Sequence, residues 1–519
     1  MISIIPQPKI CDKKEGTLRL MGFGVFGFTP PEIIMEANAF CEKTGLPKSQ
    51  TVKCVLSSET KGYTLDIDEE IIIVGNNAEE VFHGLQSLKQ IILPFLTNEE
   101  ILLPCLHIKD WADYNYRGYM LDAVRHFFPL NNLYGLIDAL ALFKINKFHF
   151  HLTDDQGWRV EIEKYPLLNE ISAFRKQTNY DKTPHGGFYT KQELRDFISY
   201  AKNKFIEVIP EFDMPGHFTA ILSAYPNLGC GGNKTEVAEK FGIFDTIACG
   251  GKAETYTFVK DVLTEMATLF PSPYFHIGGD EAPKARWTQC PDCLAKVKEE
   301  GLEDVEELQG FFTNEAIKVL RGLNKTPIVW NESLNSGILD ASALVQYWND
   351  GAKATNIKNA AAEGRKFIMS ACPPFYLDYP SGINSIKKIY NHYKKGLSDS
   401  TSLVGFETPL WTEHVTTWER VQTLSFPRVM ACAQLGWGKT EDYKAFKQRV
   451  ITALPILDFY GISHEKEKDF CPSPLRALKQ SLAFLSNFLK GNALESLVRA
   501  IKNDRAMKKQ RKKKNNRAH

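Results

Sequence analysis

Two adjacent carboxylates, Asp280 and Glu281, follow Gly278-Gly279 at the end of a short apolar run. Acids this close repel as a doubly charged pair, so their pKa values separate and one can hold a proton near neutral pH. Such a pair supplies a general acid, and the glycines let the backbone turn sharply behind it. Acid pairs are also common in solvated loops and as metal ligands, so these four residues alone carry little. The aromatic residues add more. Trp330, Trp348 and Trp411 each follow a separate apolar run. Aromatic rings stack on the apolar faces of sugars, whereas sugar hydroxyls need fixed charged or amide partners. Arg125, Tyr376, Asp378 and Glu413 also stand beyond the ends of such runs. Gathered at one place, these residue types describe a carbohydrate pocket.

Gathering them requires a particular scaffold. Short apolar runs recur at residues 119–121, 148–152, 205–210, 274–277, 327–329, 344–345, 367–369 and 403–406, mostly separated by helical or mixed stretches. Their continuous apolar character, without alternation, predicts parallel strands buried on both faces. Eight β-α repeats over residues 113–445 predict an α/β fold, a (β/α)8 TIM barrel. The fifth and sixth runs are closely spaced, so that crossover is abbreviated. In a barrel the C-terminal strand ends share one face, where active sites sit. Seven of the eight runs are followed closely by charged or aromatic clusters, and the eighth by Tyr376 and Asp378.

Residues 1–112 read as a small N-terminal α+β domain, with strands at 51–56 and 71–74. A helix starts at Asn77-Ala78-Glu79-Glu80, with an Asn cap and acids in its first turn, and runs to about Leu93. Val81, Leu85, Leu88 and Ile92 follow helical spacing, so one face is expected on the sheet. Residues 446–507 read as a helical C-terminal extension. One helix there has Ser473 as cap and Pro474 at its first position. Residues 508–519 read as a basic, solvated tail.

Composition narrows the function classes. Of 519 residues, 43% are hydrophobic and 24% charged, with a formal net charge of +1. That balance points to neither nucleic acid nor an acidic membrane surface as main partner. No apolar run is long enough to span a bilayer, and the start lacks a basic segment followed by an apolar core. The expectation is a cytoplasmic protein, secreted only if a leader has been removed. The 11 cysteines, an odd number scattered along the chain, fit a reducing compartment. Cys290-Pro291-Asp292-Cys293 is a single C-x-x-C; Cys230 and Cys249 could complete a metal site, but their spacing is not diagnostic. Reduced thiols in a loop or helix start are the preferred reading, with no metal and no cofactor. Three N-glycosylation patterns, at Asn233, Asn324 and Asn331, read as chance matches.

Five segments in order sharpen this picture: Arg117-Gly118-Tyr119-Met120-Leu121-Asp122 with Arg125-His126-Phe127-Phe128; residues 149–158 around Asp154-Asp155; Pro210-Glu211-Phe212-Asp213-Met214-Pro215-Gly216-His217; His276-Ile277-Gly278-Gly279-Asp280-Glu281; and Trp411-Thr412-Glu413. Over roughly residues 70–445 the chain resembles family 20 glycoside hydrolases, the β-N-acetylhexosaminidases. The resemblance implies a retaining exo-enzyme acting on terminal, non-reducing β-linked GlcNAc or GalNAc. It implies Glu281 as the acid that protonates the leaving oxygen and later as the base that activates water. The nucleophile is then the substrate's own 2-acetamido oxygen, an exception to the usual two-carboxylate scheme. Asp280 is expected to hold the acetamido N–H, and Tyr376 to orient its oxygen. Trp330, Trp348 and Trp411 are expected to wall the acetamido methyl and the sugar face. Arg125, Asp378 and Glu413 are expected to bind the non-reducing-end hydroxyls, and Asp154 and His217 to support the acid pair. His149 and His151 alternate along one strand and read as barrel interior or as a layer behind the site.

Three other readings differ in what they require. A disaccharide-releasing relative, similar to a lacto-N-biosidase, needs an open pocket, against which Arg125, Asp378 and Glu413 speak. A catalytically inactive sugar-binding protein is expected to lack Asp280, Glu281 or Tyr376, and all three are present. A metal-dependent hydrolase needs a ligand geometry that these segments do not call for.

Overall fold

The computed structural model describes residues 3–349, 355–438 and 441–490, with Val498 and Arg505 beyond them. The basic stretch 508–519 lies outside the described residues.

The chain first builds a six-stranded sheet from β1 (Ile10–Leu20), β2 (Phe23–Gly27), β3 (Lys48–Leu56), β4 (Tyr63–Ile67), β5 (Ile71–Gly75) and β6 (Ile101–Asp110), in the order β1-β6-β4-β5-β3-β2. Strands β4 and β5 bury every second residue, the mark of a sheet with one face on a core. Helix α1 (Pro31–Thr44) and helix α2 (Ala78–Ile92) accompany it. Asn77 caps α2 by accepting from the Glu80 N–H. Val81, Leu85, Leu88 and Ile92 are buried as their spacing predicts, but so is every other residue from Val81 onward. The helix is covered on two sides: it packs on the sheet and also against the barrel, where Gln90 donates to the Leu142 carbonyl at 2.9 Å. Gln86, Lys89 and Gln90 lie off the apolar stripe and hydrogen-bond inside this interface.

A closed parallel barrel follows. Its strands are β7 (Tyr116–Asp122), β8 (Lys147–His151), β9 (Glu207–Glu211), β10 (Tyr274–His276), β11 (Thr326–Trp330), β12 (Leu344–Tyr347), β13 (Phe367–Met369) and β14 (Leu403–Leu410), with β14 pairing back onto β7. All eight runs read from the sequence are strands of it. The principal crossover helices are α3 (Leu130–Leu142), α4 (Lys191–Asn203), α5 (Ala253–Leu269), α6 (Val305–Gly322), α7 (Thr355–Ala362), α8 (Ile386–Tyr390) and α9 (Arg428–Trp437). Between β11 and β12 stands a single 3-10 segment, Asn331–Ser336, the abbreviated crossover that the spacing predicts.

After the barrel come α10 (Tyr443–Phe459) and α11 (Pro474–Lys490). Ser473 caps α11, accepting the Arg476 N–H on its side chain and the Ala477 N–H on its carbonyl. The helix is only partly packed: Leu475, Leu478, Leu482 and Leu485 stay exposed. Among the described residues no helix is long and apolar enough to cross a membrane.

Candidate active site

The barrel interior is unusually polar for a fold whose centre is commonly filled by branched apolar side chains. His149, His151, Glu211, His276, Gln346 and Glu407 are all buried there. Charges this deep require partners, and they have them. His149 Nδ1 lies 3.0 Å from Glu407 Oε1, and His276 Nδ1 lies 2.9 Å from Glu211 Oε1. Glu211 also accepts from the Trp330 indole N–H at 2.9 Å and pairs with His151. The other nitrogen of His151 meets Asp154 Oδ2 at 2.9 Å. Glu211, His151 and Asp154 thus form a chain of alternating charge that climbs from the barrel centre to the C-terminal strand ends.

At the top of that chain, Asp154 is held between two cations. Arg125 reaches its Oδ2 at 2.6 Å, and His217 Nδ1 stands 3.2 Å from its Oδ1. Burial would raise the Asp154 carboxyl, but the Arg125 guanidinium and His217 hold it well below the carboxylate range. The far nitrogen of His217 faces the acid pair, 3.8 Å from both Asp280 Oδ2 and Glu281 Oε2. Burial works against a charge on His217, yet Asp154 and Asp155 raise its pKa well above the ordinary value, which favours the imidazolium. It presents a fixed positive charge to the pair.

The pair itself sits on a strained turn. Gly278 and Gly279 take φ of 63° and 105°, and Glu281 itself takes φ of 46°. A Cβ on Gly278 would lie 1.6 Å from Asp213 Oδ1, so only glycine fits. Asp213 accepts the Gly279 N–H at 3.0 Å, and Glu332 accepts the Glu281 N–H at 3.2 Å. These bonds fix the backbone under both acids. Burial and the neighbouring Asp213 push the Asp280 carboxyl well above the usual carboxylate range, against the opposing His217. Its Oδ1 has no hydrogen-bond partner among the described residues. Glu281 faces the cavity with 32% of its side chain open. Burial raises it, His217 opposes, Asp280 adds, and the result is a pKa pushed up to about 8. Glu281 therefore carries a proton at neutral pH, as a general acid must.

The cavity above them measures about 310 Å³, at the small end of ligand sites. Nine of the eleven residues singled out in the sequence line it: Arg125, His217, Asp280, Glu281, Trp348, Tyr376, Asp378, Trp411 and Glu413. The other two lie beneath. Asp154 is buried behind Arg125 and His217. Trp330, expected in the wall, is 1% exposed and stands under Trp411 at 6.0 Å between ring centres. Its indole N–H is committed to Glu211, which turns the ring into the barrel. Trp348 and Tyr376 stack at 6.2 Å, and Trp411 stands 6.4 Å from Tyr376, leaving an aromatic box next to Asp280. Across the cavity Arg125 is 3.7 Å from Glu413 Oε1, with its guanidinium 5.0 Å over the Trp411 ring. Asp378 is raised by burial and by Glu413, and its Oδ1 is also without a partner among the described residues. Arg428, entirely buried in α9, donates to the carbonyls of Leu377, Tyr379 and Asn384 and so holds the loop that presents Tyr376 and Asp378.

Several lining residues carry no sequence signal. Phe241, Gly242 and Ile243 come from a long loop after β9, His414 follows Glu413, and Phe484 and Phe488 arrive from α11. Asp213 and Glu332 carry no catalytic signal of their own in the sequence; both act through the backbone of the acid pair. A second cleft of about 600 Å³ beside α11 shares Asp378, His414 and Phe484 with the cavity but lacks the acid pair.

Comparison with known proteins identifies the family. Residues 114–440 match the family model described as glycosyl hydrolase family 20, catalytic domain. A β-hexosaminidase of Porphyromonas gingivalis is 38% identical over 439 residues, covering 80% of this chain. The chain spans only 56% of that relative's length. A β-hexosaminidase of Akkermansia muciniphila is 32% identical, covering 73% of this chain and 80% of its own. Among solved structures, a family 20 exo-β-N-acetylglucosaminidase of Vibrio harveyi in complex with N-acetylglucosamine superposes with a TM-score of 0.80. It is 28% identical, covering 89% of this chain and 78% of that one.

Proposed function

Because this chain belongs to glycosyl hydrolase family 20, we propose that it is a retaining exo-β-N-acetylhexosaminidase, removing terminal β-linked N-acetylhexosamine by substrate-assisted catalysis. The observation that carries the reading is the acid pair: a protonated Glu281 open to the cavity, beside a buried Asp280 that adjoins an aromatic box.

The terminal sugar enters with its hydroxyls toward Arg125, Asp378 and Glu413 and its acetamido group toward Trp348, Tyr376 and Trp411. Glu281 gives its proton to the glycosidic oxygen as the bond to the anomeric carbon lengthens. The acetamido oxygen, steered by the Tyr376 hydroxyl, closes on that carbon and forms an oxazolinium. Without substrate Asp280 resists ionisation; any proton it holds passes to solvent as substrate binds. An amide N–H donated to it, and the positive charge growing on the acetamido group, both favour its anion. Its stabilisation is thus greatest as the ring closes, which is what catalysis requires. Glu281, now anionic, takes a proton from water, which opens the oxazolinium and restores the original configuration. A pre-aligned internal nucleophile of this kind can lower a barrier by up to about 7–11 kcal/mol. The substrate is a glycan end or small glycoside; nucleic acid and membrane have no place in this reading. The complex of the Vibrio harveyi relative with N-acetylglucosamine supports a first subsite of one sugar.

Paired nitrophenyl β-glycosides, one with a 2-acetamido group and one with a 2-hydroxyl, test this directly. Nitrophenol release from the acetamido sugar alone is expected. Equal cleavage of both would mean an enzyme nucleophile and overturn the mechanism. Cleavage of neither, with a disaccharide glycoside cleaved instead, would transfer the assignment to a disaccharide-releasing enzyme.

A further inference from the structure

Four cysteines take no part in the reaction derived above. Cys230, Cys249, Cys290 and Cys293 bring their sulfur atoms within 4.8 Å of one another. They come from three places in the chain. Cys230 opens a 3-10 turn after β9, Cys249 stands just ahead of α5, and Cys290 and Cys293 cap and enter the helix Pro291–Glu299. All but Cys230 are buried, and Ile247, Ala282, Trp287, Val305 and Leu308 complete the cluster.

The spacing discriminates between the possible states of these sulfurs. Cys249 Sγ lies 3.6 Å from Cys293 Sγ and 3.8 Å from Cys290 Sγ, and Cys230 Sγ lies 3.8 Å from Cys293 Sγ. Thiolates bound tetrahedrally to zinc at ~2.3 Å stand ~3.8 Å apart along each edge. A disulfide needs ~2.05 Å. Cys249 and Cys293 each approach two other sulfurs, as in a tetrahedron and unlike a pair of disulfides. The surroundings also suit thiolates. The Gly251 backbone N–H is directed to Cys249. Cys290 and Cys293 occupy a helix N-terminus, where free N–H groups and the helix dipole favour negative sulfur.

We propose that Cys230, Cys249, Cys290 and Cys293 form a structural tetrathiolate site for one zinc ion. On binding, each thiol loses its proton to solvent and donates a sulfur lone pair to Zn²⁺; nothing is oxidised or reduced. The site bears on the catalytic cavity through two loops. The segment between Cys230 and Cys249 supplies Phe241, Gly242 and Ile243 to the cavity wall. The segment from Glu281 to Cys290 packs Ala282 and Trp287 on the cluster, and Trp287 Nε1 donates to the Ala248 carbonyl at 2.9 Å. One ion therefore ties the wall loop to the acid loop.

The test uses the full chain, expressed with zinc in the medium and purified under reducing conditions without chelator. Elemental analysis is expected to give one zinc per chain, released into a metallochromic dye as an organomercurial titrates the thiols. The Cys290→Ser/Cys293→Ser variant is expected to lose the ion. Should that variant fail to fold, Co²⁺ exchanged into the wild type is expected to show thiolate-to-cobalt charge transfer and the visible bands of a tetrahedral site. Three results would each overturn the proposal: four native thiols reacting with Ellman's reagent in a protein without metal, disulfides joining these cysteines in a non-reducing peptide map, or zinc retained in full by the serine variant.

Discussion

The proton on Glu281 is the residue-scale feature with the plainest consequence. In the proposed mechanism Glu281 must be protonated when substrate binds, and its pKa is pushed up to about 8. kcat/KM should therefore fall on the alkaline side of about pH 8, tenfold per pH unit. His217 lowers that value, since an imidazolium 3.8 Å away favours the Glu281 anion. Removing its charge by His217→Asn should move the alkaline limb to higher pH while lowering the plateau, because the orienting contact with Asp280 is lost as well. A limb that stays in place or moves down would show that His217 does not set the acid's pKa. Glu281→Gln removes the proton altogether. For a glycoside with a poor leaving group, turnover should fall by about 10²–10⁴-fold. A dinitrophenyl glycoside, whose leaving group needs little protonation, should lose much less. Equal losses on both would deny Glu281 the acid's role.

At the scale of elements, the site depends on a turn that only glycine can make. Gly278 lies at φ 63°, where an L side chain costs about 1–2 kcal/mol, and its Cβ would also fall on Asp213. Gly278→Ala should displace Asp213, free the Gly279 N–H and shift both acids. Turnover is expected to fall at least about tenfold with an unchanged circular dichroism spectrum, because a 1 Å misplacement near the chemistry can cost ~10²-fold. Wild-type turnover would show that the turn tolerates a Cβ. The sequence made this element legible only in company: the glycine pair and two acids carry little alone, and the aromatic residues after the neighbouring runs give them weight. Most of the eight barrel strands were legible because burial on both faces leaves largely apolar runs, whereas β8 alternates Phe148-His149-Phe150-His151 around the polar barrel centre. What escaped lacks a local period. Phe205 begins a predicted strand yet takes φ 54° before β9 starts, and nothing in neighbouring residues marks that turn. Helix α2 has one clear apolar stripe, but its second, polar interface is formed with residues far along the chain. Phe241, Phe484 and Phe488 reach the cavity from a loop and a terminal helix, so only the folded chain joins them to the acids. The four cysteines are a signature in space and not in spacing.

The whole molecule separates catalysis from support. The residues proposed to act on substrate gather at the C-terminal ends of the barrel strands, while the N-terminal domain is pinned near the other end. Asp110, the last residue of β6, meets Lys144, just ahead of β8, at 3.2 Å, with neither side chain exposed. Asp110 also accepts from the Tyr63 hydroxyl at 2.7 Å and from the Trp437 indole at the end of α9 at 2.8 Å. One carboxylate thereby joins the sheet to the first and last repeats of the barrel. Burial pulls the Lys144 pKa down and Asp110 opposes that, so Asp110→Ala leaves an ammonium that must lose its proton or stay buried unpaired. Breaking such a pair from one side costs about 3–5 kcal/mol. Urea unfolding of Asp110→Ala should show a midpoint lowered by a loss of that order. Asp110→Asn, which keeps an acceptor oxygen for either Trp437 or Tyr63 but not both, should lose less. Because the strand ends that carry Asp280, Glu281 and Tyr376 lie away from this contact, kcat under native conditions should remain near the wild-type value in both variants. A sharp fall in kcat with an unchanged unfolding midpoint would mean that the N-terminal domain shapes the active site, and that the division between a supporting end and a catalytic end is wrong.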